Sequence, residues 1–308
     1  MQKTSIPSNG ALSRKASAAA LAPPAGQVIE ELRPGQSIEL LKALHILTRD
    51  GKLNQDTRRK LKQVYHLYQF IEPLLSEVSA NNKGFTLADH GAGKSYLGFI
   101  LYDLFFNVAH RGEPKDGHIY GIETRAELVD KSRALATRLG FERMSFLNLS
   151  VHQATTSTDL PATVDIVTAL HACDTATDDA IAFGLVKQAR HMVLVPCCQA
   201  EVAGVLKKAR ALNLNKSPLA ELWRHPLHTR EFGSQITNVL RCLQLEASGY
   251  QVTVTELVGW EHSMKNELIL ASRPAVANAG KTAAAQVRLQ QVLDELGLGA
   301  LAARFAVT

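Results

Sequence analysis

The sequence predicts an α/β protein whose core is a doubly wound, mostly parallel sheet. Three observations support this prediction. From residue 85 onward, strand-like runs alternate with helix-compatible segments, and the last two strand-like runs are separated by only a short connection. In addition, 46% of the 308 residues are hydrophobic, which suffices to bury one sizeable core and a smaller appendage.

Seven segments have strand character. Five of them are each followed by a loop and helix-compatible sequence, which implies parallel strands covered on both faces. These five are 85–89, 117–122, 144–148, 165–170 and 191–195. The last two, 251–258 and 267–272, are joined only by Gly259 to Asn266, so we predict an antiparallel pair at the end of the sheet.

The composition along the chain predicts four regions. Residues 1–33 are rich in Ala, Ser and Pro and nearly free of acids, which predicts a disordered tail or, alternatively, an organelle targeting peptide. Residues 34–80 predict an N-terminal helical segment, because apolar residues recur there at helical spacing. The core domain is predicted over 81–273, and the Ala-rich stretch 274–308 predicts a helical tail.

Composition also argues against membrane and secreted proteins. No apolar run reaches the roughly 20 residues that span a bilayer. The four cysteines do not form the spaced framework of a disulfide scaffold, since two of them are adjacent; they are Cys173, Cys197, Cys198 and Cys242. A cytoplasmic location is therefore expected. The net charge of +5 and the pI near 9.0 permit a polyanionic partner without requiring one.

A glycine-rich turn follows the first strand, within Phe85 to Gly98. Gly91 and Gly93 let the backbone approach a ligand closely, and the helix that follows presents free N–H groups. Glu123 ends the next strand, where a carboxylate can accept both ribose hydroxyls of a bound nucleoside. The turn and the acid together predict a nucleoside-containing cofactor.

A phosphate-binding loop is a distant alternative, because Ala88 to Ser95 matches a relaxed form of that motif and would make the chain an NTPase. Three features oppose it. Ala88 stands where the first glycine belongs, Asp89 would repel phosphate, and no strand ends in the acid that holds Mg²⁺. A purely structural turn is a further alternative, as is a nucleotide-binding module without catalysis.

The pattern Asp89-x-Gly91-x-Gly93 with Glu123 resembles class I S-adenosylmethionine-dependent methyltransferases, which have a Rossmann-like seven-stranded sheet. Residues from about 37 to 272 more narrowly resemble the methyltransferase-domain group that includes the methyltransferase-like 25 proteins and relatives of tRNA ribose methyltransferases. The segments that carry the resemblance are Asp89–Leu97, Ala169–Asp178, Pro196–Gln199 and Lys265-Asn266.

The resemblance implies S-adenosylmethionine as the cofactor and gives a role to each matched residue. Asp89 would lie near the methionyl end of the cofactor, and Gly91 and Gly93 would lie under it. Glu123 would bind the ribose. Ser150, just after the third strand, would lie near the adenine edge.

Polar residues also follow the fourth and fifth strands, at the edge where an open parallel sheet places its chemistry. Methyl transfer is an in-line displacement, so an alcohol or protonated amine acceptor needs a base. Asp174 and His171 are the candidate catalytic bases. The alternatives are that Asp174 caps the helix that follows it and that His171 only hydrogen-bonds the loop.

Cys197 and Cys198 follow the fifth strand and leave three interpretations open. A thiolate could add to C6 of a pyrimidine so that C5 is methylated. A metal could bind them together with Cys173 and His171, although adjacent cysteines strain a tetrahedral site. We favour small side chains that line the cofactor pocket, and we expect no metal.

A basic cluster precedes the core and suits the backbone of RNA. Only two acids lie among its six cations, which are Arg49, Lys52, Arg58, Arg59, Lys60 and Lys62. Arg230, placed before a helix predicted at 231–247, and Lys265 with Asn266 could bind a phosphate or carboxylate of the substrate. Solvated surface charges are the alternative in each case. The expected function is an S-adenosylmethionine-dependent methyltransferase acting on RNA, with a protein or small-molecule acceptor as the alternative.

Overall fold

The structure is a computed structural model that describes residues 30–81, 84–110, 116–170, 172, 174–196, 199–209, 218–257 and 267–307. Contacts divide the chain into two units, Met1–Leu32 and Arg33–Thr308. The first unit, which holds most of the predicted tail, lies almost wholly outside the described residues. The sheet and its helices belong to the second unit.

Seven strands form one sheet. They are β1 (Phe85–His90), β2 (Gly117–Glu123), β3 (Met144–Asn148), β4 (Ile166–Ala169), β5 (His191–Leu194), β6 (Gln251–Glu256) and β7 (Glu267–Ser272). Their order is β3-β2-β1-β4-β5-β7-β6. The strands β1 to β5 pair in parallel, whereas β7 runs antiparallel to both β5 and β6. The predicted fold class and its antiparallel last strand are confirmed, and β6 ends two residues before the predicted boundary.

Helices cover the sheet between and beyond the strands. They are α1 (Ile38–Ala43), α2 (Gln55–Asn81), α3 (Tyr96–Tyr102), α4 (Ala126–Leu139), α5 (Val151–Thr156), α6 (Thr175–Val186), α7 (Glu201–Ala209), α8 (Pro226–Ala247) and α9 (Ala279–Glu295). A π-helical turn, Asp103–Ala109, continues α3, and short 3₁₀ helices lie at Pro218–Trp223 and Gly299–Leu301. Within the described ranges, no helix is long and apolar enough to cross a membrane.

The start of α8 corrects one sequence prediction. The helix begins at Pro226 and not at residue 231, so Arg230 lies on the helix and not in a loop before it. Proline is favoured in the first turn because its ring fixes a helical φ and its missing N–H would have no intrahelical acceptor there. Arg230 is exposed and lies 3.3 Å from its neighbour Glu231.

The strand order reverses between β1 and β4, which places a topological switch point there. In open α/β sheets, ligands bind beyond the carboxyl ends of the strands at such a point. The loops that follow β1 and β4 are in contact, because a Cβ built on Gly91 would lie 3.5 Å from the Cα of Ala172. The fold therefore brings the glycine turn and the Asp174 loop to one edge of the sheet.

The N-terminal helices pack on the sheet domain away from that edge. Glu77 of α2 contacts Arg190 and His191, where β5 begins. Glu39 of α1 contacts Arg138 at 2.9 Å, in the last turn of the helix that precedes β3. These contacts lie at the amino ends of the strands.

The C-terminal segment closes a second apolar cluster around α7, α8 and α9. Its buried members include Leu240 of α8, Leu293 of α9 and, beyond α9, Phe305, which is 1% exposed. Arg304 contacts Glu201 in the first turn of α7 at 3.2 Å. The segment after α9 therefore ties α7 and α8 together.

Candidate active site

The turn after β1 needs glycine for its backbone. Gly91 has φ 61° and Gly93 has φ 58°, in the left-handed region that side chains disfavour. Ser95 also adopts positive φ, and its N–H donates to the carbonyl of Ala92 at 2.7 Å. The chain then enters α3, whose first N–H groups face the same edge. The predicted ligand-binding turn thus has the tight geometry that the two glycines indicated.

Asp89 lies at the end of β1 and is 2% exposed. The hydroxyl of Thr168 donates to its carboxylate at 2.7 Å. Burial raises the pKa of Asp89 to about 7, and the hydrogen bonds from Thr168 and from the backbone of Gly98 offset only part of that rise. The carboxyl group therefore joins β1, β4 and α3 and is close to half-protonated at neutral pH.

His90, next along β1, is buried with its ring 4.2 Å from that of Phe183. Burial lowers the pKa of His90 to about 3, so the imidazole is neutral. Asp89 and His90 thus point to opposite faces of one strand and carry opposite pKa shifts from the same physical cause.

Glu123 ends β2 beside the glycine turn and is 7% exposed. Its carboxylate accepts the N–H of Gly93 at 2.8 Å and the N–H of Arg125 at 3.0 Å. The Arg125 guanidinium adds two bonds, at 3.0 and 3.1 Å. Burial acts to raise the pKa of Glu123, but the hydrogen bonds from the Arg125 side chain and from the two backbone groups outweigh it and lower the pKa to about 2.

Arg125 is a site residue that sequence reasoning missed. Its side chain is 62% exposed, yet it folds back over both carboxylate oxygens of Glu123. A Cβ on Gly93 would lie 3.8 Å from its Nη2, so the guanidinium also borders the glycine turn. The only sequence signal for this contact was the position of a basic residue two places after Glu123.

Ser150 begins α5 just after β3. Its side chain accepts the N–H of Gln153 at 3.3 Å, and the Gln153 side chain accepts the N–H of Ser150 at 2.9 Å, which is a complete capping box. The adjacent Asn148 donates to the carbonyl of Glu123 at 3.0 Å. Ser150 therefore lies on the same edge as Glu123, and its assignment to the adenine stays a prediction.

Asp174 occupies the N-cap position of α6, but its side chain forms no capping hydrogen bond there, so the capping alternative is wrong for that helix. Its backbone, with φ 52° and ψ −124°, turns the side chain toward α7 instead. There Oδ1 accepts the N–H of Ala200 at 3.0 Å and that of Glu201 at 3.4 Å. The carboxylate thus bridges the loops that follow β4 and β5.

Several sequence predictions fall on residues outside the described part of the chain. They are His171, Cys173, Cys197, Cys198, Lys265 and Asn266. The base, thiolate and metal hypotheses that use these residues stay predictions. Among the residues that the structure does describe, no group of three or more His, Cys, Asp or Glu side chains could hold a metal ion.

The basic residues Arg58, Arg59 and Lys62 lie exposed on the first turns of α2. Arg59 is 3.8 Å from Asp56. The cluster lies on α2, which carries none of the glycine turn, Glu123 or Asp174.

Residues 59–205 match a family model described as a methyltransferase domain. No curated protein sequence matches the chain.

Three solved structures illustrate the similarity in fold. A Klebsiella pneumoniae protein assigned as an O-methyltransferase is 15% identical, with a TM-score of 0.46 over 80% of this chain and 94% of that chain. Magnesium protoporphyrin IX methyltransferase from Synechocystis PCC 6803, with bound S-adenosylmethionine, is 13% identical, with a TM-score of 0.44 over 77% and 90%. An rRNA methylase from Streptococcus thermophilus is 10% identical, with a TM-score of 0.38 over 65% and 92%.

The three proteins are named for different methyl acceptors, so their names do not indicate which acceptor this chain uses. The family match over 59–205 assigns a methyltransferase domain to this part of the chain, and the seven-stranded order β3-β2-β1-β4-β5-β7-β6 is the Rossmann-like sheet expected for it.

Proposed function

We propose that the chain binds S-adenosylmethionine at the β1–β2 edge and transfers its methyl group to RNA. The observation that carries the cofactor assignment is the left-handed turn at Gly91 and Gly93 beside the buried, ionised Glu123. Glycine leaves room for a ligand against the backbone, and a carboxylate can accept both ribose hydroxyls. The residues present therefore fit this cofactor, which supplies an electrophilic methyl group on a sulfonium.

Each residue of the edge has a separate task in this proposal. Glu123 accepts the ribose hydroxyls once Arg125 releases its carboxylate oxygens. Asp89 holds the end of β1 against β4 and α3, which keeps the glycine turn in place. The exposed position of Arg125 lets its side chain move without disturbing the core.

The acceptor side lies at the loops after β4 and β5. We assign Asp174, or His171 three positions earlier in the sequence, as the group that takes a proton from the acceptor. Two N–H groups at the start of α7 bind Oδ1 of Asp174, so the carboxylate is anchored through that oxygen and Oδ2 is the proton acceptor. An anchored base suits an in-line displacement, in which alignment accounts for much of the rate.

RNA is the acceptor class that the charge distribution favours. The exposed cations of α2 lie on a helix that carries none of the residues assigned to the reaction edge, so a ligand that contacts both must span two elements of the fold. A polyanion bound by the cluster would orient a distant nucleotide into the edge, as phosphate contacts position without reading sequence. We keep a cytoplasmic location as part of this proposal.

Calorimetry and a methylation assay test the proposal in two steps. The chain should bind S-adenosylmethionine or its demethylated product S-adenosylhomocysteine with micromolar-class affinity and should not bind Mg-ATP. Tight binding of Mg-ATP without binding of either sulfur ligand would overturn the cofactor assignment in favour of an NTPase. Tritiated methyl transfer to RNA and protein fractions from cells lacking the gene then identifies the acceptor class.

Neutralising Arg58, Arg59 and Lys62 together tests the RNA assignment. Cofactor affinity should be unchanged, and RNA binding should fall for all sequences alike. Its salt dependence should flatten in proportion to the number of RNA phosphates that the variant no longer neutralises. Asp174→Asn should do the opposite and slow methyl transfer at unchanged RNA affinity. If the triple variant methylates at the full wild-type rate, a protein or small-molecule acceptor is favoured over RNA.

A further inference from the structure

Arg241 of α8 is a buried cation directly behind the Asp174 loop. It is 0% exposed, and an unpaired charge at such a place is very costly. Asp178 of α6, which is also buried, balances it through two bonds, from Nε at 2.6 Å and from Nη2 at 2.9 Å. Buried ion pairs add little stability compared with apolar residues of similar volume, so this pair needs another explanation.

A further bond of the guanidinium reaches the loop itself. Nη2 of Arg241 also donates to the backbone carbonyl of Asp174 at 2.8 Å. Asp174, at φ 52° and ψ −124°, is in a backbone region that residues other than glycine occupy only when their surroundings enforce it, at a cost of about 1–3 kcal/mol. The residue is thus held on two sides, by Arg241 at its carbonyl and by the first turn of α7 at its carboxylate.

The same guanidinium is connected to two further loops of the edge. Nη1 donates to the side-chain oxygen of Asn238 at 3.1 Å, and that oxygen also accepts the side-chain N–H of Gln199, after β5, at 2.9 Å. The amide nitrogen of Asn238 donates to Glu267, the first residue of β7, at 2.6 Å. Arg241 therefore joins the loop after β4, the loop after β5 and the start of β7.

We propose that Arg241 is a positioning residue for methyl transfer: it holds the strained Asp174 loop and, through Asn238, aligns the other acceptor-side loops. The inference rests on the proposed function, since the loops matter to the reaction only if Asp174 faces the acceptor. The contacts of Arg241 are all on the β4, β5 and β7 side, whereas the cofactor turn and Glu123 are on the β1 and β2 side. Loss of Arg241 should therefore affect turnover and leave cofactor binding alone.

Two variants separate positioning from folding. Arg241→Lys keeps the charge beside Asp178 but lacks the planar fork that reaches all three acceptors. The double variant Arg241→Met with Asp178→Leu replaces the ion pair by apolar groups, so the protein can fold without a buried unpaired charge. Arg288→Lys is the matched control, because the exposed Arg288 of α9 forms its ion pair with Glu246 of α8, the helix that carries Arg241.

We expect the two Arg241 variants to bind S-adenosylhomocysteine within about twofold of the wild type. Their kcat for tritiated methyl transfer to the wild type's acceptor fraction should fall about 10- to 100-fold at little change in KM, the loss typical of a misaligned reacting group. Hydrogen exchange supplies a second readout: the N–H groups of Ala200 and Glu201, which bond to Asp174, should exchange faster. Arg288→Lys should change none of these.

Unchanged kcat and unchanged exchange at Ala200 and Glu201 in both variants would overturn the inference. Loss of cofactor binding in step with turnover would also overturn it, because Arg241 would then be a general structural residue. If the wild type neither binds S-adenosylhomocysteine nor methylates the RNA or protein fraction, the proposed function is wrong whatever the Arg241 variants do. The exchange measurement then still decides whether Arg241 holds the loop.

Discussion

Replacing Arg125 by Met should tighten the binding of S-adenosylhomocysteine. In the structure, Arg125 binds both oxygens of Glu123 that the ribose hydroxyls would use. Methionine removes the guanidinium, keeps the apolar stem and retains the backbone N–H that donates to Glu123. The N–H of Gly93 also stays, so the carboxylate remains anchored and is freed only from its competitor.

The size of the effect follows from the exposure of the pair. Solvent screens an ion pair in which Arg125 is 62% exposed, and such pairs contribute about 0.2–1 kcal/mol. The bidentate geometry and the buried Glu123 place this pair at the upper end, at about 1 kcal/mol. Since about 1.4 kcal/mol is a factor of ten, the dissociation constant should fall about fivefold.

Titration calorimetry at low and high salt measures the dissociation constant of S-adenosylhomocysteine for the wild type and the variant. Salt screens the exposed pair, so the wild-type affinity should approach that of the variant as the salt concentration rises, while the variant should change little. Arg138→Met is the matched control, because Arg138 forms a similarly exposed pair with Glu39 far from the cofactor edge. Weaker binding by Arg125→Met would refute the competition and show that Arg125 itself contacts the ligand.

Three further predictions concern the cofactor edge and the core. Glu123→Ala should weaken binding about tenfold or more in calorimetry, because each charge-assisted bond contributes roughly 1.5–3 kcal/mol; an unchanged dissociation constant in a folded variant would mean that the ribose acid is another residue. Gly233→Ala should lower the free energy of unfolding by about 1–3 kcal/mol in urea titrations, because the new Cβ would lie 2.6 Å from that of Ala203 in α7; an unchanged midpoint would show that the two helices separate easily. Asp89→Asn should flatten the pH dependence of stability. Because burial raises the pKa of Asp89 to about 7, its contribution is complete below about pH 4 and is lost as the pH rises through 7; parallel wild-type and variant profiles over this window would contradict that.

The sheet and the glycine turn could be predicted from the sequence because their signals are local. Strand ends follow from apolar runs and turn residues, and all seven strands lie within two residues of the predicted bounds. The turn at Gly91 and Gly93 could be predicted because positive φ angles favour glycine. The position of Glu123 followed from the strand that it ends.

The contacts behind the site could not be predicted in this way. Arg241 binds Asp178 and Asp174, which are 63 and 67 residues away in sequence. No sequence pattern near Arg241 predicts contacts over such separations. The capping rule failed at Asp174 because its strained backbone turns the carboxylate to α7. Arg125 was missed because its role depends on which way a flexible, exposed side chain folds.

The contact between Arg304 and Glu201 joins two segments that the ribosome makes at different times. The two residues are 103 positions apart, so at about 5–20 residues per second the ribosome makes Arg304 roughly 5–20 s after Glu201. Helix α8 ends at Ala247, 57 residues before Arg304, so for roughly the last 3–11 s of that interval α7 and α8 exist without the apolar cover that Phe305 and its neighbours provide. The nascent chain therefore exposes the apolar faces of α7 and α8 during this window, which is the stage at which we expect chaperones to bind it.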